Sequence, residues 1–412
     1  MRPQGRTAGH DPDGGTERGH TRGDHGMSKA LIIGGGIAGT VTAMALHKAG
    51  IEAEVFEAYP SGADDVGAFL VVFANGLEAL RVIDAHDPVA AHSFPARRIA
   101  VFGHDGTKVA ERPIAGSGTG PGPRTLRRAT LYQVLHAEAA RRGIPVHHGK
   151  RLVGAETVAS AGGKRVVAAF ADGSRAEGDL LIGADGLHSV TRTLIDPAAP
   201  RPRHTGQHTV CGYTRATGAE PAAETYTMIR GDRAVFGCTR APDDEIWWFA
   251  NIPGAESDRT ALQAVGPGEW RDRVAARFPG DATPAAALVR ATGDRVIVSS
   301  AYDIATTPTW YDDTKVVLGD AAHAAAPNAA QGASMAIEDG IVLARCLRDH
   351  TDPRTAFAAY EKLRRERVEK VVAASAGLAA RTGPQGPGRP ATGPAGGGAD
   401  GSDWLTDYRI EW

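Results

Sequence analysis

At 412 residues the chain can hold two or three structural units and a large apolar core. Its 42% hydrophobic content and formal net charge of -2 describe an ordinary soluble protein and give no basis for nucleic acid or a membrane as partner. The longest purely apolar run, 68–74, falls far short of a membrane span, and Cys211, Cys238 and Cys346 show neither metal-ligand spacing nor a disulfide framework, so a reducing cytoplasm is the expected compartment.

Residues 1–26 are rich in Gly, His, Arg and Asp and lack an apolar segment, so they are not a signal peptide. They read as a disordered extension or a start-site artefact, with His10, His20 and His25 solvated. Met27 directly precedes the first strand.

That strand is the apolar run Ala30–Ile33. It enters Gly34-Gly35-Gly36-Ile37-Ala38-Gly39, and a helical pattern follows through His47-Lys48. A second strand, Glu52–Phe56, ends on Glu57. The order strand, glycine-rich turn, helix, strand is that of a dinucleotide-binding unit. Gly34 permits the tight turn, Gly36 lets backbone approach a pyrophosphate, and Gly39 lets the helix sit close on the strand. The helix start, with the amides of Ile37 and Ala38, offers free N–H groups and partial positive charge to phosphates. Glu57, 18 residues beyond Gly39, is placed to accept from ribose hydroxyls. By itself the unit does not separate NAD from FAD.

Downstream, 60–66 reads as a polar loop and 75–83 as a helix. Segments 99–102 and 108–112 pair as a hairpin across Asp105-Gly106. Residues 116–123 are too rich in Gly and Pro for regular structure. A helix spans 131–142, with Leu131, Val134, Leu135 and Ala139 on one face. Strand material at 146–148 and 151–155 precedes a hairpin, 165–170 with 175–177, and then the buried strand 180–184.

From 209 to 252 the character changes. Segments 209–216, 224–230, 234–239 and 246–252 are rich in Val, Tyr, Thr, Trp and Phe, and turns separate them. They predict an antiparallel sheet inserted into the α/β unit. A helix at 270–278, strands at 296–304 and 315–318, and helices at 334–349 and 355–378 complete the fold. Residues 382–402 are dominated by Gly and Pro and read as a linker. The tail 404–412 carries Trp404, Tyr408, Ile410 and Trp412, and is expected to dock on the fold because exposed tryptophans would be costly.

Two further stretches narrow the function. In 178–192 a buried strand enters Asp185-Gly186 and then a polar helix start. In 316–339 a strand ends on Gly319-Asp320, where an exposed carboxylate suits a polyol chain, and a loop then opens a helix whose N-terminus suits a carbonyl or an anion.

With Gly34–Gly39 and Glu57, these stretches resemble the class A flavin-dependent monooxygenases, the family of salicylate and para-hydroxybenzoate hydroxylases, over about residues 28–375 and in family order. Arg128-Ala-Thr-Leu131 is similar to the family's Arg-x-x-Leu segment. The resemblance implies an α/β fold: a Rossmann-like FAD-binding domain (27–105, 125–200 and 296–380) with an inserted antiparallel β-sheet substrate domain (201–295) and C-terminal helices. The rest divides into a flexible loop at 106–124, a linker at 381–402 and a tail at 403–412. It also implies that Gly34, Gly36, Gly39 and Glu57 hold the ADP half of FAD, that Arg128 lies beside the flavin and pyrophosphate, and that Asp320 binds the ribityl chain. Pro327, Gln331, Gly332, Ala333 and Ser334 would lie against the isoalloxazine, with the 334–349 helix N-terminus at its pyrimidine edge. Asp185-Gly186 would serve both FAD and NAD(P)H. Two departures stand out: Ala58-Tyr59 after Glu57, where the family often has a basic residue, and Ala330 where the family has glycine.

The implied reaction uses NAD(P)H and O₂ to hydroxylate an aromatic or polycyclic small molecule through a flavin C4a-hydroperoxide. The flavin does the chemistry, so no catalytic dyad is expected and no base or metal is nominated. The inserted sheet would roof the pocket, with Tyr213, Tyr226, Met228, Phe236 and Trp248 as lining. Alternation along strands divides such a set between two faces. His323 reads as a packed, hydrogen-bonded residue rather than a proton shuttle. Epoxidation or Baeyer–Villiger insertion would use the same site. A halogenase is disfavoured, since Trp247–Pro253 is only a superficial echo of its signature, and a flavin-binding protein without turnover is disfavoured by the intact motifs.

Overall fold

The computed structural model describes residues 29–61, 68–114, 122–160, 163–215, 221–382 and 404–412. The expected N-terminal extension 1–26, the loop at 116–123 apart from its last two residues, and residues 383–402 of the linker lie outside the described residues.

Five parallel strands form the central sheet, in the order Lys315–Val317, Leu180–Gly183, Lys29–Ile33, Glu52–Phe56, Val146–His147. Their inner positions 30–33, Val55, Phe56, 180–182, Val316 and Val317 are apolar because helices or other strands cover both faces, while Lys29, Glu54 and His147 pair at the strand margins. On one side the helices Ile37–Lys48, Arg128–Arg141 and Gly332–Asp349 share the main core with Leu77, Leu80 and Trp310. On the other, Leu31, Ile33 and Leu181 pack on Val166, Ala168 and Phe170 of an antiparallel three-stranded sheet spanning 152–178. The hairpin expected across Asp172-Gly173 is present there. No described helix is long and apolar enough to cross a membrane.

A seven-stranded sheet forms the second layer system, in the order Val296–Asp303, Arg203–Thr214, Ile246–Pro253, Val235–Arg240, Thr225–Arg230, Arg98–Gly103, Lys108–Pro113. All its pairs are antiparallel except Thr225–Arg230 with Arg98–Gly103. The hairpin Arg98–Pro113 therefore extends this sheet, although the sequence suggested a division at 105 and a flexible loop from 106. Its local pairing was readable across Asp105-Gly106, whereas its partner strand lies more than a hundred residues away. The helices Pro267–Ala275 and Ala285–Arg290 cover one face of the sheet through Trp270, Val274 and Leu288, with Phe278 from the turn between them. The other face meets a small antiparallel sheet of Phe69–Val72, Arg124–Arg127 and Phe94–Pro95.

The helix Pro353–Thr382 runs along Gly332–Asp349. The tail docks on this pair: Leu405 is buried in the main core, with Trp404, Ile410 and Trp412 packed at its edge.

Candidate functional site

Three adjacent parallel strands deliver the three sequence motifs at their carboxyl ends, the position where open α/β sheets bind ligands. Lys29–Ile33 delivers the glycine turn, Leu180–Gly183 delivers Asp185-Gly186, and Lys315–Val317 delivers Gly319-Asp320.

At the first, the backbone at Gly34 has φ +102°, and a Cβ there would lie 2.3 Å from the Ala184 carbonyl oxygen. A Cβ on Gly39 would lie 1.9 Å from the Gly34 oxygen. Both glycines are therefore required by contact, the first with the strand carrying the second motif. A Cβ on Gly36 would meet nothing within 4 Å, so this edge of the turn stays open. The helix starting at Ile37 has no side-chain cap and no acid in its first turn, which leaves its first amides for an acceptor from outside. Glu57 accepts from the Gly35 amide at 2.7 Å and the Tyr59 amide at 2.8 Å, one oxygen each. It thus braces the glycine turn, and each oxygen keeps a lone pair for a hydroxyl. His136 also bonds the Gly35 carbonyl, at 2.6 Å, a partner that sequence spacing did not signal.

At the second motif, Asp185 accepts from Ser189 Oγ at 2.5 Å and from Thr191 N and Oγ1, both at 3.0 Å. The aspartate organises its own turn and the start of the helix Val190–Ile195. Arg192, buried on the same helix, donates from Nη1 to the Ala321 carbonyl and from Nη2 to the Leu187 carbonyl, both at 2.9 Å. This arginine joins the second and third motifs. Arg192 closes the stretch 178–192, and nothing in the sequence marks it for this task.

At the third motif, Gly319 donates its amide to Asp339 Oδ2 at 2.9 Å, and a Cβ on Gly319 would lie 3.2 Å from that of Ala38 in the glycine-turn helix. Asp320 stands exposed. Beyond it the chain makes one 3₁₀ turn, Pro327–Ala329, and places Ala330 in the left-handed region, at φ 53° and ψ 23°. Ala330 therefore adopts the conformation glycine takes most easily. Gln331 is buried with Oε1 accepting from Asn75 Nδ2 at 3.2 Å, and Ser334 Oγ accepts from the Phe73 amide at 3.1 Å. These two side chains turn inward, so this loop presents backbone outward. The helix starting at Gly332 is uncapped by side chains, like the first.

A buried charge cluster underlies this loop. Arg364 donates to Asp339 Oδ1 at 2.7 Å and pairs with Glu338 Oε2 at 2.6 Å, and His323 Nε2 bonds Asp339 Oδ2 at 2.5 Å. His323 is thus a packed, bonded residue. Burial alone would raise the Asp339 carboxyl, but His323 and Arg364 outweigh it and hold it well below the usual range. Burial would likewise lower Arg364, and Glu338 with Asp339 keeps it protonated.

The sheet register divides the expected pocket lining. Met228, Gly237, Phe249 and Cys211 stand directly opposite one another and share the face towards the central domain. Tyr213 and Tyr226 lie on that face too, but packed: Tyr213 against Trp247 (centroids 5.5 Å apart) and between Arg127 and Arg295, Tyr226 with its hydroxyl 2.9 Å from Thr125 Oγ1. Met228 and Phe249 remain partly exposed. Phe236 and Trp248, expected in the lining, lie on the opposite face. Their rings stack at 5.7 Å, and Trp248 Nε1 donates to Thr292 Oγ1 at 2.9 Å beneath the covering helices. One residue of strand parity separates Trp248 from Phe249, and composition carries no sign of it. Burial pushes the Cys211 thiol and the Tyr213 phenol up to about 12, so neither is ionised at neutral pH.

The donor set suits a dinucleotide with a polyol arm: an open glycine turn, two uncapped helix starts, a braced acid and an exposed aspartate on neighbouring strand ends. Comparison with known proteins agrees. The FAD-binding-domain family is matched over residues 27–375. Aurachin C monooxygenase/isomerase of Stigmatella aurantiaca is 30% identical over 84% of this chain and 87% of its own. FAD-dependent urate hydroxylase of Klebsiella pneumoniae is 30% identical over 84% of this chain and 88% of its own. The crystal structure of Klebsiella pneumoniae HpxO complexed with FAD and uric acid superposes with TM-score 0.77 at 27% identity, covering 87% of this chain and 89% of the other.

Proposed function

The chain belongs to the class A FAD-dependent monooxygenases, and on that premise we propose that it hydroxylates an aromatic or polycyclic small molecule at the junction of its three strand-end motifs and the inserted sheet. FAD, once bound, supplies the oxygen chemistry, with NAD(P)H as reductant. The observation that carries this reading is the convergence of the motifs: Gly34 against Ala184, Ala38 against Gly319, and Arg192 between Leu187 and Ala321.

In this reading the open turn at Gly36 and the amides of Ile37 and Ala38 take the pyrophosphate, while Glu57 accepts from the ribose. Asp320 accepts from the ribityl hydroxyls, Asp185-Gly186 borders the same crevice, and exposed Arg128 supplies positive charge beside the pyrophosphate. Pro327 and the backbone of 331–334 bear on the ring system. The helix dipole at Gly332 and Ala333 favours negative charge on its near edge.

Met228 and Phe249, on the sheet face opposite, provide an apolar surface for a planar substrate. With Tyr213 and Cys211 neutral there, the wall excludes water and orients the substrate rather than taking its proton. The test is oxygen uptake and NAD(P)H oxidation by FAD-loaded protein with a panel of phenols, quinolones and purines. Substrate-dependent uptake with product one oxygen heavier supports hydroxylation. NAD(P)H oxidation unchanged by every compound would remove the hydroxylase reading.

A further inference from the structure

The family match ends at 375, yet the chain returns to the fold at Trp404–Trp412. Arg367, on the helix Pro353–Thr382, donates from Nη1 to the Trp404 carbonyl at 2.7 Å and from Nη2 to the Leu405 carbonyl at 2.9 Å. The same guanidinium holds both oxygens of Glu338, each at 2.9 Å. Its carbon sits 4.3 Å from the Tyr408 ring centre, and Arg364 approaches that ring at 5.2 Å. Lys370 lies 4.2 Å from the Trp404 ring centre and Arg348 4.9 Å from that of Trp412. The tail therefore reads the cationic face of two helices with aromatic rings and carbonyls, a pairing that gains as both sides leave water.

Glu338 continues the chain of contacts. It accepts from Asn75 Nδ2 at 2.6 Å, and the same amide donates to Gln331 Oε1 at 3.2 Å. Gln331 precedes the uncapped helix start, next to left-handed Ala330. Asn75, Glu338 and Gln331 are all buried, so water does not readily replace a lost partner.

We propose that the C-terminal segment is a working part of the flavin site. Docked, it fixes Arg367 on Glu338 and thereby, through Asn75, the loop 330–333 that bears on the isoalloxazine, with Arg367 and Tyr408 as positioning residues. The proposal rests on FAD occupying the site assigned above. Undocking removes two of the acceptors of Arg367 and the ring over Arg364, and the freed guanidinium then competes with Asn75 for Glu338.

The test is FAD titration of full-length apoprotein by flavin fluorescence, with apoprotein melting measured alongside. Wild type, Tyr408→Ala, Tyr408→Phe and Arg367→Lys are compared. Tyr408→Ala should weaken FAD by about fivefold or more and alter the visible flavin band. Tyr408→Phe, which keeps the ring, should bind as wild type does. Arg367→Lys keeps the charge but loses the fork, so it should weaken FAD as well; it carries the test if Tyr408→Ala does not fold. Variants that melt earlier yet bind FAD with wild-type affinity and spectrum would show a merely stabilising patch and overturn the proposal. A wild type that binds no FAD would instead overturn the functional reading, and this one with it.

Discussion

Arg192 reaches from the second motif to the third, donating to the Leu187 carbonyl and the Ala321 carbonyl at 2.9 Å each. Its side chain is buried, and so is Ala321, whose carbonyl therefore has no ready substitute in water. Arg192→Ala should destabilise the fold by about 1–3 kcal/mol through the stranded acceptor. It should also weaken FAD more than a surface substitution of equal cost. Urea unfolding and FAD titration of the same preparation check both. Unchanged FAD affinity alongside lost stability would confine Arg192 to the scaffold.

Ala330 at φ 53° pays for a conformation that glycine adopts freely. Ala330→Gly should stabilise the protein by up to about 1 kcal/mol. The urea midpoint should rise while the slope stays constant. A midpoint that falls would mean that the loop gains more from restricting the unfolded chain than it loses in strain.

Two residues on opposite faces of the seven-stranded sheet should behave differently. Trp248→Ala empties the core beneath the covering helices and should cost about 3–5 kcal/mol. Met228→Ala, on the opposite face, should leave melting nearly unchanged and alter the KM for the aromatic substrate. Thermal melts and steady-state kinetics of the pair decide whether the register divides core from pocket in this way.

Asp339 gives the acid limb its sign. Burial raises its carboxyl, but His323 and Arg364 prevail and hold it below the ordinary 3.8. A carboxyl depressed by folding stabilises the native state fully above its unfolded value, and that contribution drains away as pH falls below 3.8 towards the folded value. Asp339→Asn should cost about 3 kcal/mol or more at neutral pH, because Arg364 loses a buried partner. Its stability should then fall less steeply than that of wild type below the ordinary aspartate value. Parallel acid limbs in pH-resolved urea titrations would contradict this.

The central parallel sheet was legible because its three ligand-bearing strands are short apolar runs leading into Gly34, Asp185 and Gly319-Asp320, residue types that few other contexts need at those ends. Strand Glu52–Phe56 was read to the residue. The long-range choices were less legible. The pairing of Arg98–Gly103 with Thr225–Arg230 depends on a contact across the chain, which local alternation does not encode. The pocket faces depend on register, where a single step exchanges Phe249 for Trp248. The Arg192 bridge, the Arg364 cluster and the clasp on the tail are made by arginines in helices, whose spacing matches that of ordinary surface charges. Only the fold tells them apart.

The most direct test is rapid mixing of the FAD-loaded protein with NADH or NADPH without oxygen, in the presence of each aromatic candidate, followed by oxygen. The oxidised flavin band should be lost on mixing, faster with at least one candidate, and return with oxygen as that compound is hydroxylated. Protein that purifies without flavin and takes up none when offered FAD would contradict it.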